Sequence, residues 1–388
     1  MYRRLATDRL RVLAAQFPAV LILGARQVGK TTLARAAFPD HAYLDLETPR
    51  LRELFAEDPA FHVGARANET RGVVLDEAQA VPGLFEALRG IIDAAREARG
   101  RFILLGSAQP ALVRGVSESL AGRVGILELE PLTATEAATG PAPLPWRRLW
   151  LAGGFPDAAR GDFREWHEAY LRTYVERDLP QLGIEADPVF TRRLLTMLAH
   201  QQGGLLNVSA LAGALGVGHA RVARALDVFE QTFLLRRLPP FFRNVGKRLT
   251  KSPKAYLRDT GLLHHLLNIG SAEDLDAHPV RGASWETFVI EDLLRRERLA
   301  RPFSQPFFWR TAAGAEVDLL FERGDAIATI EVKAGVGSPR QARHLSDALG
   351  DIGAAQGWIV DQGQGAEPLN LRVHRRGFAD DLDWLPPA

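Results

Sequence analysis

Short apolar runs alternate with helical periodicity in the first third of the chain. Residues 19–23 are continuously apolar and are followed by a glycine, which is typical of a buried parallel strand. The predicted elements are strands at 19–23, 43–46, 73–75 and 102–105 and helices at 30–37 and 91–99. Strands that alternate with helices predict a parallel α/β sheet, which binds ligands at the carboxyl ends of its strands.

The pattern changes after a proline-rich stretch at 140–145, which we expect to separate domains. Helical periodicity dominates from Trp166 to about Leu267. Within it, residues 207–230 predict a helix, a glycine turn and a second helix, as in a winged helix-turn-helix. From Trp285 onward, a helix at 286–296 is followed by strands at 307–309, 316–322 and 326–333. We therefore predict an α/β domain at 1–145, a helical winged-helix domain at 146–275 and a second α/β domain at 276–388.

The composition narrows the class of protein. The 388 residues are 46% hydrophobic and 24% charged, which is ordinary for a globular protein. A continuous apolar run of about 18 residues is absent, so no membrane span is expected. The absence of cysteine excludes disulfides and thiolate metal sites. Together with the lack of a signal-peptide pattern, it predicts a cytoplasmic protein.

The charge is unevenly distributed, although the net charge is only +1. Residues 166–260 carry 14 Lys/Arg against 8 Asp/Glu, and residues 261–388 carry 13 against 19. The segment 236–258 holds eight basic side chains and no acid. Such a stripe is either an ordinary solvated surface or a binding site for a polyanion such as DNA. The candidate DNA contacts are Arg221, Arg224, Arg243, Lys247, Arg248, Lys251 and Lys254.

Lysine is rare in this chain. Only five of the 48 basic residues are lysine: Lys30, Lys247, Lys251, Lys254 and Lys333. A position that keeps lysine where arginine is otherwise used can require a compact ammonium and not a planar guanidinium.

The segment Gly24–Thr31 matches the P-loop pattern G-x-x-x-x-G-K-[ST] between a predicted strand and a predicted helix. In such a loop the backbone N–H groups surround the phosphates, and Lys30 reaches the β and γ oxygens. The Thr31 hydroxyl is a ligand for Mg²⁺. The predicted nucleotide-binding residues are Gly24, Ala25, Arg26, Gln27, Val28, Gly29, Lys30, Thr31 and Thr32.

An acidic pair follows the third predicted strand. Asp76 can hold Mg²⁺ through water, and Glu77 can act as the catalytic base that polarises the attacking water. The alternative is that the two acids cap a helix. Ser107, after the fourth strand, is a candidate contact for the γ-phosphate, with Gln109 as a second candidate.

Arg123 is a candidate arginine finger that stabilises transition-state charge at a neighbouring subunit's γ-phosphate. Arg114 is a weaker candidate, and an ordinary surface arginine is the alternative interpretation. A finger acting between subunits predicts self-association, for example in a hexameric ring.

Several segments together resemble the AAA+-type ATPases of bacteria and archaea that carry a C-terminal domain of unknown function. They are Leu23–Thr32, Val73–Gln79, Gly106–Ser107 and Ser119–Arg123, with Tyr174–Asp178 and Trp309–Thr311 further along the chain. The resemblance implies that the nucleotide is ATP. The sequence departs from the family pattern at Ala108, where a second serine is common, so the sensor role stays open between Ser107 and Gln109.

The C-terminal domain contains a set of acids with one lysine. A hairpin with a three-residue turn centred on Gly324 would place Asp318 across from Ile330, close to Glu331 and Lys333. With Glu286 on the preceding helix, this is the arrangement of the PD-(D/E)XK nuclease superfamily, whose fold is restriction-endonuclease-like. Asp318 and Glu331 would hold a divalent metal, and Lys333 would help to activate water. The alternatives are a nuclease-like fold that only binds DNA, and an unrelated surface hairpin.

These features predict an ATPase that uses ATP and Mg²⁺ and binds DNA. ATP turnover would be coupled to remodelling DNA, moving along it or processing it, and the DNA could be branched. The C-terminal domain could act as a metal-dependent nuclease. Two rival hypotheses remain open: an NTP-dependent switch that scaffolds protein partners, and a toxin or defence nuclease licensed by ATP.

Overall fold

The computed structural model describes residues 2–69, 71–107, 115–116, 118–140, 142–182, 187–242, 251–382 and 384–387. The chain forms two compact units. The first extends to Leu132 and includes Gln231–Phe233, and the second comprises Thr133–Glu230 and the chain from Leu234 onward. The predicted middle and C-terminal domains thus lie in one compact unit, and the three-domain division stays a prediction. No helix within the described ranges is long and apolar enough to cross a membrane.

A parallel sheet forms the centre of the first unit. Among the residues that the structure describes, five strands pair in the order β2-β3-β4-β1-β5. They are β1 Ala19–Gly24, β2 Ala42–Asp45, β3 Val73–Asp76, β4 Phe102–Ser107 and β5 Val124–Glu128. β1 is buried at every position, as expected for a central strand covered on both faces. The predicted strands are confirmed to within two residues at each end, and β4 lies directly beside β1, the strand that precedes the P-loop.

The helices of the first unit flank this sheet. They are Ala6–Gln16, Lys30–Ala37, Pro49–Glu57, Pro59–Glu69 and Leu84–Ala94, with a short 3-10 turn at Ala78–Ala80. The helix predicted to end at Arg99 ends at Ala94, so this boundary is wrong. The cause is local, because the buried positions Leu84, Leu88 and Ile92 lie on one face and no large apolar side chain follows them before Phe102.

The second unit begins with helices. Their bounds are Ala134–Ala138, Trp146–Ala152, Pro156–Arg160, Phe163–Thr173, the π-helical Tyr174–Asp178, Leu179–Gln181, Pro188–His200, Val208–Leu215, His219–Gln231, Thr260–Leu266, Ala272–Ala277, Arg281–Ala300 and Pro339–Ile352, with a 3-10 turn at Phe378–Asp380. The predicted pair of helices separated by a glycine turn is confirmed. Gly216 ends the first helix with φ +68°, a left-handed conformation that glycine adopts at little cost.

Two strands follow this helix pair. β6 (Leu235–Leu238) and β7 (Lys254–Leu257) pair antiparallel, with Leu238 opposite Lys254. The chain between them contains four of the eight basic side chains of the predicted stripe, and residues 243–250 lie outside the described part of the chain. The winged-helix assignment of these helices and strands stays a prediction.

A second sheet occupies the C-terminal part of this unit. In the described chain its order is β12-β13-β11-β10-β9-β8. The strands are β8 Gln305–Arg310, β9 Glu316–Arg323, β10 Ala326–Lys333, β11 Gly357–Asp361, β12 Ala366–Pro368 and β13 Val373–Gly377. β8, β9 and β10 are antiparallel, whereas β11 runs parallel to β10 after the helix Pro339–Ile352. The predicted strands and the β9–β10 hairpin are confirmed.

The register of this hairpin differs from the prediction by one residue. Arg323 pairs with Ala326 across a two-residue turn, in which Gly324 has φ +64°. A left-handed glycine permits so tight a turn, so the predicted three-residue turn is wrong. Since Leu319 pairs with Ile330, the register places Asp318 across from Glu331. Side chains of opposed residues share one face of a sheet, so the two predicted carboxylates are brought together.

Glu291 forms a buried ionic cluster that joins the hairpin β6–β7 to the helix Arg281–Ala300. Its carboxylate accepts hydrogen bonds from Arg236, including one of 2.9 Å from Nη2, and lies 3.3 Å from Nε of Arg258 and 3.9 Å from Nη2 of Arg295. Burial opposes the charge of Glu291, but the arginines outweigh it and lower its pKa to about 2. The cluster therefore keeps a charge that burial alone would disfavour.

We expect the substitution Glu291→Gln to lower the free energy of unfolding by about 3–5 kcal/mol, since it leaves buried guanidinium groups without their counter-charge. Chemical denaturation of the full chain measures this loss. The control Glu176→Gln removes an exposed pair with Arg172 and should cost less than about 0.5 kcal/mol. Because the pKa of Glu291 is depressed in the fold, its contribution is complete above the unfolded value of 4.5 and declines as the pH falls towards 2. An equal loss in both variants would contradict the prediction.

Candidate functional site

The P-loop follows β1 and leads into the helix Lys30–Ala37. The Lys30 side chain is buried and its ammonium donates hydrogen bonds to the carbonyl oxygens of Gly24 (3.0 Å) and Ala25 (2.9 Å). Gly29 has φ +99°, and a Cβ at Gly24 would come within 2.3 Å of the Leu129 carbonyl oxygen. Both glycines are therefore required by the backbone path. The other predicted residues, Ala25, Arg26, Gln27 and Val28, form the loop, and Thr32 lies in the first turn of the helix.

Arg4 supports this loop from the N-terminal segment, and nothing in the sequence pattern indicated that role. Its guanidinium is 9% exposed and donates hydrogen bonds to the carbonyl oxygens of Val28 (2.9 Å) and Glu130. A planar, always charged group that bridges two carbonyls fixes both segments to one geometry. Arg4 is thus a positioning residue for the P-loop.

Asp76 and Thr31 meet at the carboxyl end of the sheet. The Thr31 hydroxyl donates to Asp76 Oδ2 at 2.6 Å, and the Tyr43 hydroxyl donates to the same oxygen at 2.8 Å. Tyr43 lies on β2 and was not predicted as a site residue. Burial and its hydrogen bond to Asp76 raise the pKa of Tyr43 above its usual value. Hydroxyl and carboxylate oxygens at one point are the donor set that Mg²⁺ prefers, so these residues fit a nucleotide-bound Mg²⁺.

Glu77 follows Asp76 in an unusual backbone conformation. Its φ of +50° is in the left-handed region, which non-glycine residues seldom adopt. Gln79 Nε2 donates to Glu77 Oε2 at 2.5 Å, and the Glu77 N–H donates to Asp76 Oδ1 at 3.0 Å. The backbone therefore changes direction at Glu77, and the neutral amide of Gln79 holds the Glu77 carboxylate. Conformations of this kind are concentrated at functional sites.

Ser107 ends β4, and its backbone is paired with Gly24 at the start of the P-loop. The prediction that Ser107 stands beside the nucleotide site is consistent with this pairing. Its side chain is outside what the structure describes, and the second candidates Gln109 and Arg114 also lie outside the described residues.

Arg123 lies at the amino end of the strands, opposite the end that carries the P-loop. Its carbonyl accepts from the N–H of Ala19, the first residue of β1, whereas the P-loop follows the last residue of that strand. The guanidinium makes a two-bond ion pair with Asp93, with both N···O distances 2.8 Å. The six residues of β1 separate the amino end of the sheet from its carboxyl end by about 16–20 Å. Arg123 therefore cannot act on its own chain's nucleotide, and a finger role requires a second subunit.

The predicted C-terminal residues come together on one face of the second sheet. Asp318 is buried and its Oδ2 accepts the Val332 N–H at 2.8 Å. Lys333 Nζ lies 2.6 Å from Glu331 Oε1, while Glu331 Oε2 is buried without a hydrogen-bond partner. Glu286 reaches the same cluster from the helix Arg281–Ala300. Burial and the charge of Asp318 raise the pKa of Glu331 to about 8, although Lys333 opposes this shift.

Lys254 corrects one prediction. It was assigned to the DNA-binding surface, but it is 2% exposed and lies within this cluster. Its ammonium contacts Glu316, lies 3.0 Å from Glu286 Oε1 and lies 3.6 Å from Asp318 Oδ1. Burial lowers the pKa of Lys254, but the surrounding carboxylates outweigh it and raise the pKa well above its usual value. The error arose because the prediction counted charges along the segment. Such a count does not distinguish a lysine that faces solvent from a lysine that is buried.

We define the carboxylate cluster as the four acids and two lysines that meet here: Glu286, Glu316, Asp318, Glu331, Lys254 and Lys333. Tyr256 adds a hydrogen bond of 2.7 Å to Glu286. Among the described residues, no group of three or more His, Asp and Glu side chains is arranged to hold a metal ion. Ammonium groups contact the carboxylates where a divalent ion would have to bind, so the cluster does not fit the metal that Asp318 and Glu331 were predicted to hold.

The other predicted DNA contacts divide into two groups. Arg221, Arg224 and Lys251 are exposed, as expected, and Arg221 also pairs with Asp187 at 2.7 Å. The remaining three, Arg243, Lys247 and Arg248, lie outside the described residues.

The basic stripe at 236–258 is not a continuous basic surface in its described part. Arg236 and Arg258 are paired with the buried Glu291, Arg237 is paired with Glu230, and Lys254 lies in the carboxylate cluster. Its exposed charge is therefore smaller than the sequence count indicates.

Family models match three parts of the chain. An AAA domain matches residues 16–138, a domain of unknown function, DUF8612, matches residues 144–273, and a second, DUF4143, matches residues 281–375. The AAA match covers β1 to β5, the P-loop and the acidic pair, and it supports ATPase activity at the level of the family.

Similar proteins were found among both sequences and solved structures. The uncharacterized proteins Mb2031c of Mycobacterium bovis and Rv2008c of Mycobacterium tuberculosis are each 39% identical over 378 residues, which is 96% of this chain and 82% of theirs. The Walker-type ATPase PABY2304 of Pyrococcus abyssi is 16% identical, with a TM-score of 0.47 over 69% of this chain and 96% of its own. The Aeropyrum pernix ORC1 protein, solved in complex with DNA, is 15% identical, with a TM-score of 0.31 over 69% of this chain and 93% of its own.

Proposed function

Because this chain belongs to the family of the mycobacterial proteins Mb2031c and Rv2008c and contains an AAA domain, we propose that it hydrolyses ATP and couples turnover to the binding and remodelling of DNA. The observation that carries the ATPase part is the convergence of Thr31 and Asp76 beside the P-loop lysine, with Glu77 next in the chain. These groups supply the parts that hydrolysis of a nucleoside triphosphate needs.

Each residue of this site has a distinct chemical task in the proposal. Lys30 exchanges its two carbonyl partners for the β and γ oxygens of the nucleotide, and Thr31 and Asp76 are the residues that would hold Mg²⁺. Bound Mg²⁺ neutralises charge on the phosphates. Glu77 orients the attacking water and accepts its proton, and Tyr43 keeps Asp76 in place. Positioning and charge stabilisation account for most of phosphoryl-transfer catalysis.

The helix pair and the hairpin β6–β7 support the DNA part of the proposal. In a winged helix the second helix enters the major groove, and here that helix is His219–Gln231, which carries the exposed Arg221 and Arg224. Lys251, three residues before β7, adds an exposed positive charge. Such side chains bind the phosphate backbone by charge, which makes affinity dependent on salt.

The C-terminal sheet supports a nuclease-like fold that binds DNA without cutting it. The order helix, three antiparallel strands, helix and parallel strand supports this proposal, because Asp318, Glu331 and Lys333 then share one face of the sheet. The poor fit of the carboxylate cluster to a metal favours this DNA-binding form over an active nuclease. Metal-dependent cleavage is therefore an outcome of the test and not part of the proposal.

We expect the ATPase rate of the full chain to rise when duplex, single-stranded or four-way-junction DNA is added. Fluorescence anisotropy of labelled DNA measures binding, and phosphate release measures turnover. The double variant Arg221→Ala/Arg224→Ala should weaken binding and reduce the slope of log affinity against log salt by about 0.9 for each phosphate that the protein no longer neutralises. Measuring affinity at two or more salt concentrations distinguishes this electrostatic effect from misfolding.

A charge-matched control is Arg50→Ala/Arg52→Ala, since both residues are exposed on the helix Pro49–Glu57, outside the segments proposed to bind DNA. Its salt slope should equal that of the wild type. Failure of every DNA to bind or to stimulate turnover would exclude the DNA role and leave the protein-scaffolding switch as the better explanation. Nicking of DNA that persists in Lys30→Ala but disappears in Asp318→Ala would restore the nuclease hypothesis.

A further inference from the structure

We propose that the ammonium of Lys254 is the built-in cation of the carboxylate cluster and that it keeps divalent metal ions out of this site. The proposal goes beyond the proposed ATPase and DNA functions, because it concerns what the nuclease-like site can bind. It stands on the geometry of residues in β7, β9, β10 and the helix Arg281–Ala300, all within one compact unit.

The position of the Lys254 nitrogen is the first support. It contacts carboxylates from two different elements: Glu286 on the helix at 3.0 Å, and Glu316 and Asp318 on β9, the latter at 3.6 Å. A metal ion bridging the same oxygens would need to approach each of them to about 2.0–2.6 Å. Nitrogen and metal therefore compete for one position, and both cannot occupy it.

Several of the remaining acceptors of the cluster are also engaged. The second oxygen of Asp318 accepts the Val332 N–H, Glu316 pairs with Arg310 at 2.9 Å, and Glu331 pairs with Lys333 at 2.6 Å. Glu331 Oε2 alone is buried without a hydrogen-bond partner in the described part of the cluster. A divalent ion that bound two or more of these carboxylates would therefore have to break contacts that the cluster already makes.

The chemistry of lysine fits this position better than that of arginine. An ammonium is compact and has three donors, which matches three surrounding carboxylates, whereas a guanidinium is planar and donates in a fixed fork. Two of the five lysines in the chain, Lys254 and Lys333, meet in this cluster, although 43 of the 48 basic residues are arginine. The rarity of lysine therefore gains a physical reason at this site.

The backbone holds Lys254 in place. It is the first residue of β7, paired with Leu238 of β6, and its ammonium also lies 5.7 Å from the ring of Phe308 and 5.9 Å from that of Tyr256. Its 2% exposure leaves no path for the side chain to turn into solvent without moving the strand. Displacement by a metal ion would thus leave a buried ammonium without partners, which is strongly unfavourable.

Binding of Mn²⁺ to the nucleotide-free full chain tests the proposal. All proteins in this test carry Asp76→Asn. This substitution removes a predicted metal ligand of the nucleotide site, so that Mn²⁺ does not bind there, and it leaves the C-terminal unit unchanged. We expect electron paramagnetic resonance to show no Mn²⁺ bound at the cluster in this background. The additional substitution Lys254→Met should create one Mn²⁺ site per chain, and Asp318→Asn should abolish that site again.

The matched control is Lys251→Met, which removes an exposed lysine three residues away and should create no site. A folded Lys254→Met protein, verified by circular dichroism, that binds no additional Mn²⁺ would overturn the proposal. If Lys254→Met does not fold, the proteins that carry Asp76→Asn with and without Asp318→Asn still test the proposal. Mn²⁺ binding there that Asp318→Asn abolishes would show that the cluster accepts a metal with Lys254 present. A background protein that binds no Mn²⁺, with or without Asp318→Asn, supports exclusion.

Discussion

Replacing Glu77 by glutamine is expected to lower the kcat of ATP hydrolysis by about 10²–10⁴-fold while ATP still binds. Glutamine has the same shape and can accept the hydrogen bond from Gln79, but it cannot accept a proton from the attacking water. The substitution leaves Lys30, Thr31 and Asp76 in place to make the contacts that we propose with the phosphates and Mg²⁺. Steady-state phosphate release measures kcat, and titration with a fluorescent ATP analogue measures binding.

The control for this variant is Glu86→Gln, which removes one negative charge from an exposed position of the helix Leu84–Ala94. Its turnover should match that of the wild type. A Glu77→Gln protein with normal turnover would show that another group acts as the base. Loss of ATP binding together with turnover would instead indicate that the left-handed turn at Glu77 had collapsed and that its role is structural.

The proximity of Thr31 to Asp76 was predictable because each residue lies in a local pattern that shows its place in the sheet. The P-loop spans eight consecutive residues between an apolar strand and a helix, and the backbone conformation follows from Gly24 and Gly29. Asp76 ends an apolar run, and in a parallel sheet the carboxyl ends of the strands meet at one edge. The order β2-β3-β4-β1-β5 then brings Asp76 close to Thr31.

Contacts that depend on the pairing of distant segments were not predictable. Tyr43 reaches Asp76 only because β2 pairs with β3 in the register that places Asp45 opposite Asp76. Arg4 reaches Val28 across 24 residues. In both cases the side chain is ordinary for its local sequence, and its role comes from tertiary position alone.

The carboxylate cluster was predictable only in part. The alternation of residues predicted the hairpin, yet a turn shorter by one residue moved the partner of Asp318 from Ile330 to Glu331. Lys254 is 32 residues before Glu286 and 62 before Glu316, and it belongs to a segment whose average charge indicated a surface. Its burial follows from the pairing of β7 with β6, which periodicity does not encode.

The position of Arg123 decides how it can take part in catalysis. Arg123 lies at the amino end of the strands, about 16–20 Å from the P-loop of its own chain. At this position it is paired with Asp93. An arginine at the opposite edge can act only on the nucleotide of a neighbour. If the subunits form a ring, each site is then composed of a P-loop from one chain and an arginine from the next.

We therefore expect Arg123→Ala to lower kcat by about 10³–10⁵-fold with ATP binding intact, as the loss of an arginine finger does. Mixing provides the sharper measurement. Lys30→Ala subunits keep Arg123 but cannot use ATP, whereas Arg123→Ala subunits keep the P-loop but lack the finger. Each variant alone should be inactive, and the mixture should regain part of the activity, because one variant donates the arginine to the other.

Asp93→Asn is the control for a structural role, since it breaks the ion pair but leaves the guanidinium in place. If Arg123 serves only to pair with Asp93, the two variants should lose thermal stability and activity to the same extent, and mixing should restore nothing. If it acts as a finger, Asp93→Asn should retain most of the turnover, because the arginine is then released from its own chain and remains available to the next one. Full activity of Arg123→Ala would exclude the finger and with it the main reason to expect a shared site.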